Sequence, residues 1–345
     1  MKVLFLTPWY PSEKDAMAGL FVQKHVEAVR AQGVDVKVIY SQTWRDTWHQ
    51  WRSLQHEGWT PNVVQLNVIQ KQGLLALWLK WRYNIPYVII EHWTGYLPEN
   101  LSVKPNSLHT RFMQYICKNA EVVMPVSQQL IGAMQALGFK AKRWEVINNV
   151  VDDFFFDTSY QKNEISDKKI LLNITCFDEP HKNVKGLLRA AKALSEKRQD
   201  WQLVLVGTGP DYQQVREYAN SLDFPEDLLR WTGELTPLNV ANEFDQADIF
   251  VLSSNYENAP VVISESLAKG VPVISTNVGG IFEMVNVQCG LLVPARNDQA
   301  LLAAMIHMLD NYQEFDHDII RQRGKQYSVT SVGKRLKEIY EQVHF

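Results

Sequence analysis

The stretch DIFVLSSNYENAPVVISESLAKGVPVIS, residues 248–275, decides the fold. It opens on an apolar run, Asp248–Leu252, that reads as a short buried strand ending in Ser253-Ser254. It closes on a second such run, Val273–Ser275. Between them Pro260–Lys269 predicts a helix, with Pro at its first position and Gly270 just past its end. Parallel strands need a crossover connection, so strand, helix and strand in this order imply a βαβ unit.

The same alternation runs outward in both directions. Lys169–Ile174, Trp201–Val206 and Leu291–Val293 read as further strands, and Val184–Arg198 as a helix. Before them, strands are expected at Lys2–Leu6, Val36–Ile39, Val63–Val68, Tyr87–Glu91, Val122–Val126 and Trp144–Ile147. Helices are expected at Gly19–Gln32, Leu74–Tyr83, Leu108–Asn119 and Gln128–Ala136. A polar stretch, Thr158–Lys169, separates the two runs, with a hinge expected near Asp152–Lys168. The fold class is therefore α/β, with two Rossmann-like parallel sheets. Domains are expected over 1–160 and 161–327, with a C-terminal helix at about 328–345 returning to the first. Two such sheets facing one another would place the C-terminal ends of their strands, and the helix N-termini there, at one central cleft.

Composition agrees with this class. The chain has 345 residues, 46% hydrophobic and 21% charged, and a net charge of −3. That excludes a disordered or collagen-like chain. No apolar run approaches the ~20 residues that span a bilayer, and the first apolar run is too short for a signal peptide. Cys117, Cys176 and Cys289 match neither a zinc spacing nor a disulfide framework, so a reducing cytoplasm is the expected location. The net charge conceals an asymmetry. Residues 1–150 hold 16 Lys and Arg against 10 Asp and Glu, a balance of +6; residues 151–345 hold 19 against 28, a balance of −9. Eight of the 11 Trp lie in the first 93 residues.

Chemistry is expected just after the strands. Glu257 falls in a loop, and Glu265 lies on the helix that follows. The amides of Ala259 and Val261 fall near that helix N-terminus, a place suited to an anion, to which Pro260 contributes no N–H. A carboxylate at Glu265 can bind a vicinal diol. On spacing alone, a glutamate in a turn and a solvated glutamate on a helix describe the two equally well.

The wider stretch Ser254–Gly290 resembles the nucleotide-sugar site of family 4 retaining glycosyltransferases of the GT-B fold. The resemblance rests on Ser254–Glu257, Pro260, the run Glu265–Thr276, Val278-Gly279-Gly280, Glu283 and Gly290-Leu291-Leu292-Val293. It implies transfer of a hexose from a nucleotide diphosphate sugar, a UDP-sugar first, to a hydroxyl of a glycan or lipid-linked acceptor. Polysaccharide or glycolipid biosynthesis is the implied setting. Glu265 would bind the donor ribose, Glu257 the sugar hydroxyls, and Asn258, Ala259 and Val261 the diphosphate. A Lys after the strand Lys169–Ile174 is the implied partner of the leaving group; alignment favours Lys182, with Lys185 as the alternative. The family's Arg beside that Lys is absent, its position falling on Phe177 or Asp178, with His181 a candidate substitute. Gly207 and Gly209 would close the nucleotide pocket. Trp231 is either a base platform or a core aromatic.

In the first half the resemblance assigns Gly19 to close approach of backbone to the donor. His92, at the end of the strand Tyr87–Glu91, would touch the donor sugar; Glu91 is read as a structural partner, with a nucleophile role left open. Asp316-His317-Asp318 reads as a solvated face, so neither an essential metal nor a cofactor is expected, and no nucleic acid partner. Trp44, Trp48, Trp51 and Trp59 stand among Arg45, His49, Arg52 and His56, which is either an interfacial patch for anionic membrane or a core-facing helix with a basic outer side. The membrane reading would place the chain peripherally at the inner membrane face. Two rival functions on the same fold are a nucleotide-sugar epimerase or hydrolase and a non-catalytic sugar-nucleotide binder.

Overall fold

The computed structural model describes residues 1–12, 18–157 and 168–344. The expected domain boundary at 160/161 and most of the expected linker lie outside the described residues. Two compact units are present: Met1–Val150 with Gln326–Phe345, and Val151–Lys325.

The first unit is built on five parallel strands, β1 (Lys2–Thr7), β2 (Asp35–Tyr40), β3 (Val63–Asn67), β4 (Tyr87–Glu91) and β5 (Val122–Pro125), in the order β2-β1-β3-β4-β5. Apart from Lys2, every residue of β1 is buried, as is all of β3, β4 and β5, which is why they are mostly apolar with no exposed alternate face; β3 also buries Gln65 and Asn67, and Gln65 donates to Asn67 at 3.0 Å. The chain steps one way from β1 to β2, then the other way to β3, β4 and β5. Right-handed crossovers therefore put helix Leu20–Ala31 on one face of the sheet and helices Trp44–His56, Gly73–Tyr83 and Leu108–Asn119 on the other. The C-terminal helix Val329–His344 lies against Leu20–Ala31. Val332, Leu336, Ile339 and Tyr340 join Val22, Val26 and Val29 in one core cluster. Gly333 allows that approach, since a Cβ there would sit 2.3 Å from the Ala28 carbonyl oxygen.

The second unit has six parallel strands, β6 (Lys169–Ile174), β7 (Trp201–Val206), β8 (Leu229–Gly233), β9 (Ile249–Leu252), β10 (Val273–Thr276) and β11 (Gly290–Val293), in the order β11-β10-β9-β6-β7-β8. Its core combines Leu171, Leu203, Leu205 and Val251 of the sheet with Leu187, Ala191 and Leu194 of helix Val184–Ser195.

Several expected elements change. Trp144–Ile147 is not a strand; Trp144 alone makes a bridge, to Val123. The neighbouring β5 ends in Pro125, which accepts from the Ile147 amide but has no N–H to return. The helix expected to reach Arg198 stops at Ser195, whose hydroxyl bonds back to the Lys192 carbonyl. Pro260 is the residue before the helix rather than its first, so Val261 is the first helical amide of Val261–Lys269. Helices Trp44–His56, Tyr212–Ser221 and Pro237–Gln246 and the edge strand β8 are additional.

Candidate functional site

In an open α/β sheet the ligand position is where the strand order reverses. In the second unit the chain leaves β6 toward β7 and β8 and returns to β9 on β6's other side, so the reversal lies between β6 and β9. The loops after these two strands carry the expected cation and carboxylate.

After β6, residues Glu179–Lys182 form a single helical turn preceded by Asp178, whose carbonyl accepts from the amides of His181 and Lys182. Asn183, with φ +50°, ends the turn and begins the next helix. The β9 loop is laced onto it: the Asn255 amide donates to the His181 carbonyl at 2.7 Å, and the Ser253 hydroxyl contacts the carbonyls of Lys182 and Asn183 at 3.0 and 3.1 Å. The result is an ion pair of Lys182 Nζ with Glu257 Oε1 at 2.5 Å. Ser254 donates to the same oxygen at 2.8 Å, and His181 Nε2 stands 3.6 Å away. The His181 ring is stacked on Tyr256, centroids 4.2 Å apart and 7° from parallel. Burial alone would raise the Glu257 carboxyl; the charge and hydrogen bond of Lys182, with the His181 ring close by, outweigh it and hold it at about 2. Burial would lower Lys182, and Glu257 reverses that, so Lys182 stays an ammonium with its pKa raised.

Backbone packing keeps this loop in place. Gly279, at φ +52°, lies so close that a Cβ would meet the Glu257 carbonyl oxygen at 1.5 Å, and the Gly280 amide donates to the Asn258 carbonyl. Thr276 donates to the Ser254 carbonyl at 2.6 Å. Asn258 is buried, Ala259 is half-buried, and Val261 begins the helix whose end points its first amides outward. Glu265 sits one turn further along, half-buried. Gly207 and Gly209 pack the β7 loop onto the β6 loop. A Cβ on Gly207, φ +119°, would lie 2.0 Å from the Thr175 carbonyl oxygen, and one on Gly209 would lie 2.5 Å from the Phe177 amide nitrogen. Phe177, one of the two positions on which the family's absent Arg falls, is buried against Tyr212 and Trp231. Trp231 packs on the same core, with the Arg216 guanidinium 5.5 Å above its ring. Asp178 remains half-buried.

Sequence reasoning assigned no role to Ser254, Tyr256 or Arg296. Arg296 follows β11 and approaches from across the sheet, its Nε 3.4 Å from Asn255 Oδ1; no local motif announces it.

In the first unit, Gly19 precedes helix Leu20–Ala31 in the left-handed conformation, and a Cβ would lie 2.4 Å from the Trp9 carbonyl. Its need for glycine is met within the chain. The His92 ring packs on Phe21, centroids 4.2 Å apart, and lies 5.6 Å from the His25 ring. Burial lowers both histidines, His25 to about 4 and His92 well below the usual range, so both are neutral at pH 7. Glu91 is buried and accepts from the amides of Ile69, His92 and Trp93 and from the Tyr96 hydroxyl, each at 3.0 Å. All four acceptor contacts are internal, as a structural partner requires.

Asp316 caps helix His317–Gly324, Asp318 pairs with Arg321, and His317 Nδ1 bonds the Gly270 carbonyl. Among the described residues no group of three or more His, Cys, Asp or Glu side chains is placed to hold a metal ion.

Comparison with known sequences then decides the family. The model of the glycosyl transferases group 1 matches residues 155–326, and that of the glycosyl transferase 4-like domain matches residues 5–150. The chain belongs to the group 1 glycosyltransferases. A phosphatidyl-myo-inositol mannosyltransferase of Mycobacterium leprae is 26% identical over 242 residues, 64% of this chain. An N-acetyl-alpha-D-glucosaminyl L-malate synthase of Bacillus anthracis is 33% identical over 175 residues, 49% of this chain. The chain spans 62% and 44% of the length of these two curated relatives. Among solved structures, the sucrose-phosphate synthase of Thermosynechococcus elongatus superposes with a TM-score of 0.77 at 18% identity, over 99% of this chain and 98% of that one. Anabaena HepE in complex with UDP-glucose gives 0.75 at 18% identity, over 99% and 100%. These structural neighbours are GT-B glycosyltransferases, and the chain shares that fold, with two Rossmann-like domains.

Proposed function

We propose that the chain is a retaining, metal-independent hexosyltransferase that moves a sugar from a UDP-sugar to a hydroxyl of a glycan or lipid-linked acceptor. The observation that carries this reading is the ionised Lys182–Glu257 pair at the strand reversal, beside the N-terminus of helix Val261–Lys269. The carboxylate is a ready acceptor for sugar hydroxyls, and the ammonium is a donor for a phosphate oxygen. As the C1–O bond weakens, charge grows on the diphosphate, and Lys182, His181 and the amides of Ala259 and Val261 supply donors for it. Glu265 is assigned the ribose hydroxyls, and His92 the sugar. Support for the donor class comes from HepE, a fold neighbour with UDP-glucose bound. Support for a lipid-linked or glycan acceptor comes from the mannosyltransferase relative and its phosphatidyl-myo-inositol.

A thermal-shift screen of UDP-sugars, followed by a product assay on lipid-linked and polysaccharide acceptors, tests the reading. A stabilising donor and a glycoside of retained anomeric configuration are expected, with Glu257→Ala abolishing transfer in a folded protein. Full activity in that variant overturns the site; release of free or epimerised sugar without any acceptor overturns the reaction class.

A further inference from the structure

The three helices on one face of the first unit's sheet carry an outer surface that the donor chemistry does not use. The middle helix, Gly73–Tyr83, is apolar on both sides. Leu75, Ala76, Leu77 and Leu79 are buried toward the sheet, yet Leu74, Trp81 and Tyr83 face outward. A helix at the surface of a globular unit ordinarily keeps its outer face polar. Aromatic rings continue the apolar face across all three helices. Trp44 meets Trp48, Trp48 meets Trp78, Trp78 meets Tyr83, and on the other flank Trp81 meets Tyr115, with centroid distances from 4.8 to 6.1 Å. Trp81 is 61% exposed, Tyr115 48% and Trp44 39%. Leu108, at the start of the third helix, is 84% exposed.

Charge on these helices is strongly biased. Together they hold six Lys and Arg (Arg45, Arg52, Lys80, Arg82, Arg111, Lys118) and one acid, Asp46; Lys80 is half-buried and paired with Glu121 just past the third helix, which leaves five cations for the outer side. The Arg52 guanidinium lies 5.8 Å over the Trp48 ring and that of Arg82 5.1 Å over Tyr83, so cation and aromatic share one level. The helices on the opposite face show the contrast: Leu20–Ala31 and Val329–His344 mix both signs and pair them, as in Lys24–Glu27 and Arg335–Glu338. The sequence left Trp51 and Trp59 open between an interfacial patch and a core-facing side; both are core residues, Trp59 donating to Asp35 at 2.8 Å.

We infer that the outer face of helices Trp44–His56, Gly73–Tyr83 and Leu108–Asn119 docks on an anionic lipid bilayer. Tryptophan and tyrosine rings suit the interfacial layer, leucines reach the acyl boundary, and the arginines meet lipid phosphates. A glycan surface would need carboxylates and amides among its aromatic rings to accept from sugar hydroxyls, and these helices set one acid, Asp46, against five exposed cations. Among the described residues no helix is long and apolar enough to cross a membrane, so the contact lies in the membrane surface. The inference rests on the first unit alone and stands apart from the donor-site reading.

The test is flotation of the full chain with phosphatidylcholine vesicles and with vesicles that also contain phosphatidylglycerol. The chain should rise with the anionic vesicles, with high salt weakening the association. Arg45→Glu/Arg52→Glu/Arg82→Glu and, separately, Trp81→Ser/Tyr115→Ser should each lower the partition coefficient roughly tenfold or more, while Arg82→Lys retains most of it. An unchanged Tm in each variant separates loss of docking from loss of fold. A chain that stays at the bottom with anionic vesicles overturns the proposal. So do variants that float like the parent, and a surface whose Trp81→Ser change dissociates a dimer without altering flotation.

Discussion

Two buried glutamates, one ending a strand and one in the loop that follows a strand, have opposite electrostatics. Glu91 and Glu257 are both withdrawn from water. Glu91 meets four neutral donors and no cation, and burial wins: its carboxyl is raised. Glu257 meets Lys182 and His181 as well as Ser254, and its carboxyl is held at about 2. Neutral hydrogen bonds can satisfy the oxygens of a buried carboxylate without offsetting the desolvation of its charge; a cation in contact can do both. Glu91 therefore serves to fasten the loops after β3 and β4, whereas Glu257 keeps a charge and its counter-ion at the strand reversal.

The strongest way to break this contrast is Glu257→Ala. It strands a buried ammonium, so stability should fall by about 3–5 kcal/mol and kcat/KM by about 10²–10³ or more, read by urea unfolding and by the transfer assay. Lys182→Met/Glu257→Leu should recover most of the stability and none of the transfer. Recovered transfer would move the site elsewhere. Glu91→Ala leaves four donors without an acceptor and should cost about 1–3 kcal/mol in urea unfolding, with kcat retained in the folded protein. Lost kcat at full stability would turn Glu91 into a catalytic residue.

Acidity separates the two glutamates by sign. Glu257 has a depressed folded pKa, so its stabilisation is complete above the ordinary 4.5 and is lost as pH falls toward about 2. The swing is about 3 kcal/mol. Glu91 has a raised folded pKa, so its contribution favours folding most at low pH and is lost as pH rises through that value. Glu257→Gln should flatten the acid limb of a stability–pH curve, and Glu91→Gln should remove the opposing trend. The smallest effect is expected in the exposed tail helix: Asp318→Ala should leave Tm unchanged, and chelation with EDTA should leave the transfer rate unchanged.

Legibility followed burial and locality. The largely apolar strands β1, β3, β4 and β7 could be read within a residue or so of their bounds, because both faces of a parallel sheet are covered. Edge strand β8, half-buried throughout, left no such signal. Helix Trp44–His56 was obscured by a pattern whose aromatic residues divide between the core, at Trp51, and the outer face, at Trp44. Lys182 and Glu257 were each visible in a motif, yet 75 residues separate them, and nothing local says that they touch.

The sequence by itself determined the class of the chain. Its strand–helix alternation, the Pro and Gly at the ends of helix Val261–Lys269, and the dense motif from Ser254 to Gly290 are local patterns that backbone geometry and periodicity make readable. The tertiary structure alone decided which charges meet and which aromatics face outward. It showed that Phe177 is a core residue, that Lys182 is paired with Glu257, and that Trp78, Trp81 and Tyr115 extend a surface begun by Trp44. The physical reason is that ion pairing, desolvation and exposure depend on neighbours brought by strand order and crossover hand, and those neighbours are distant along the chain.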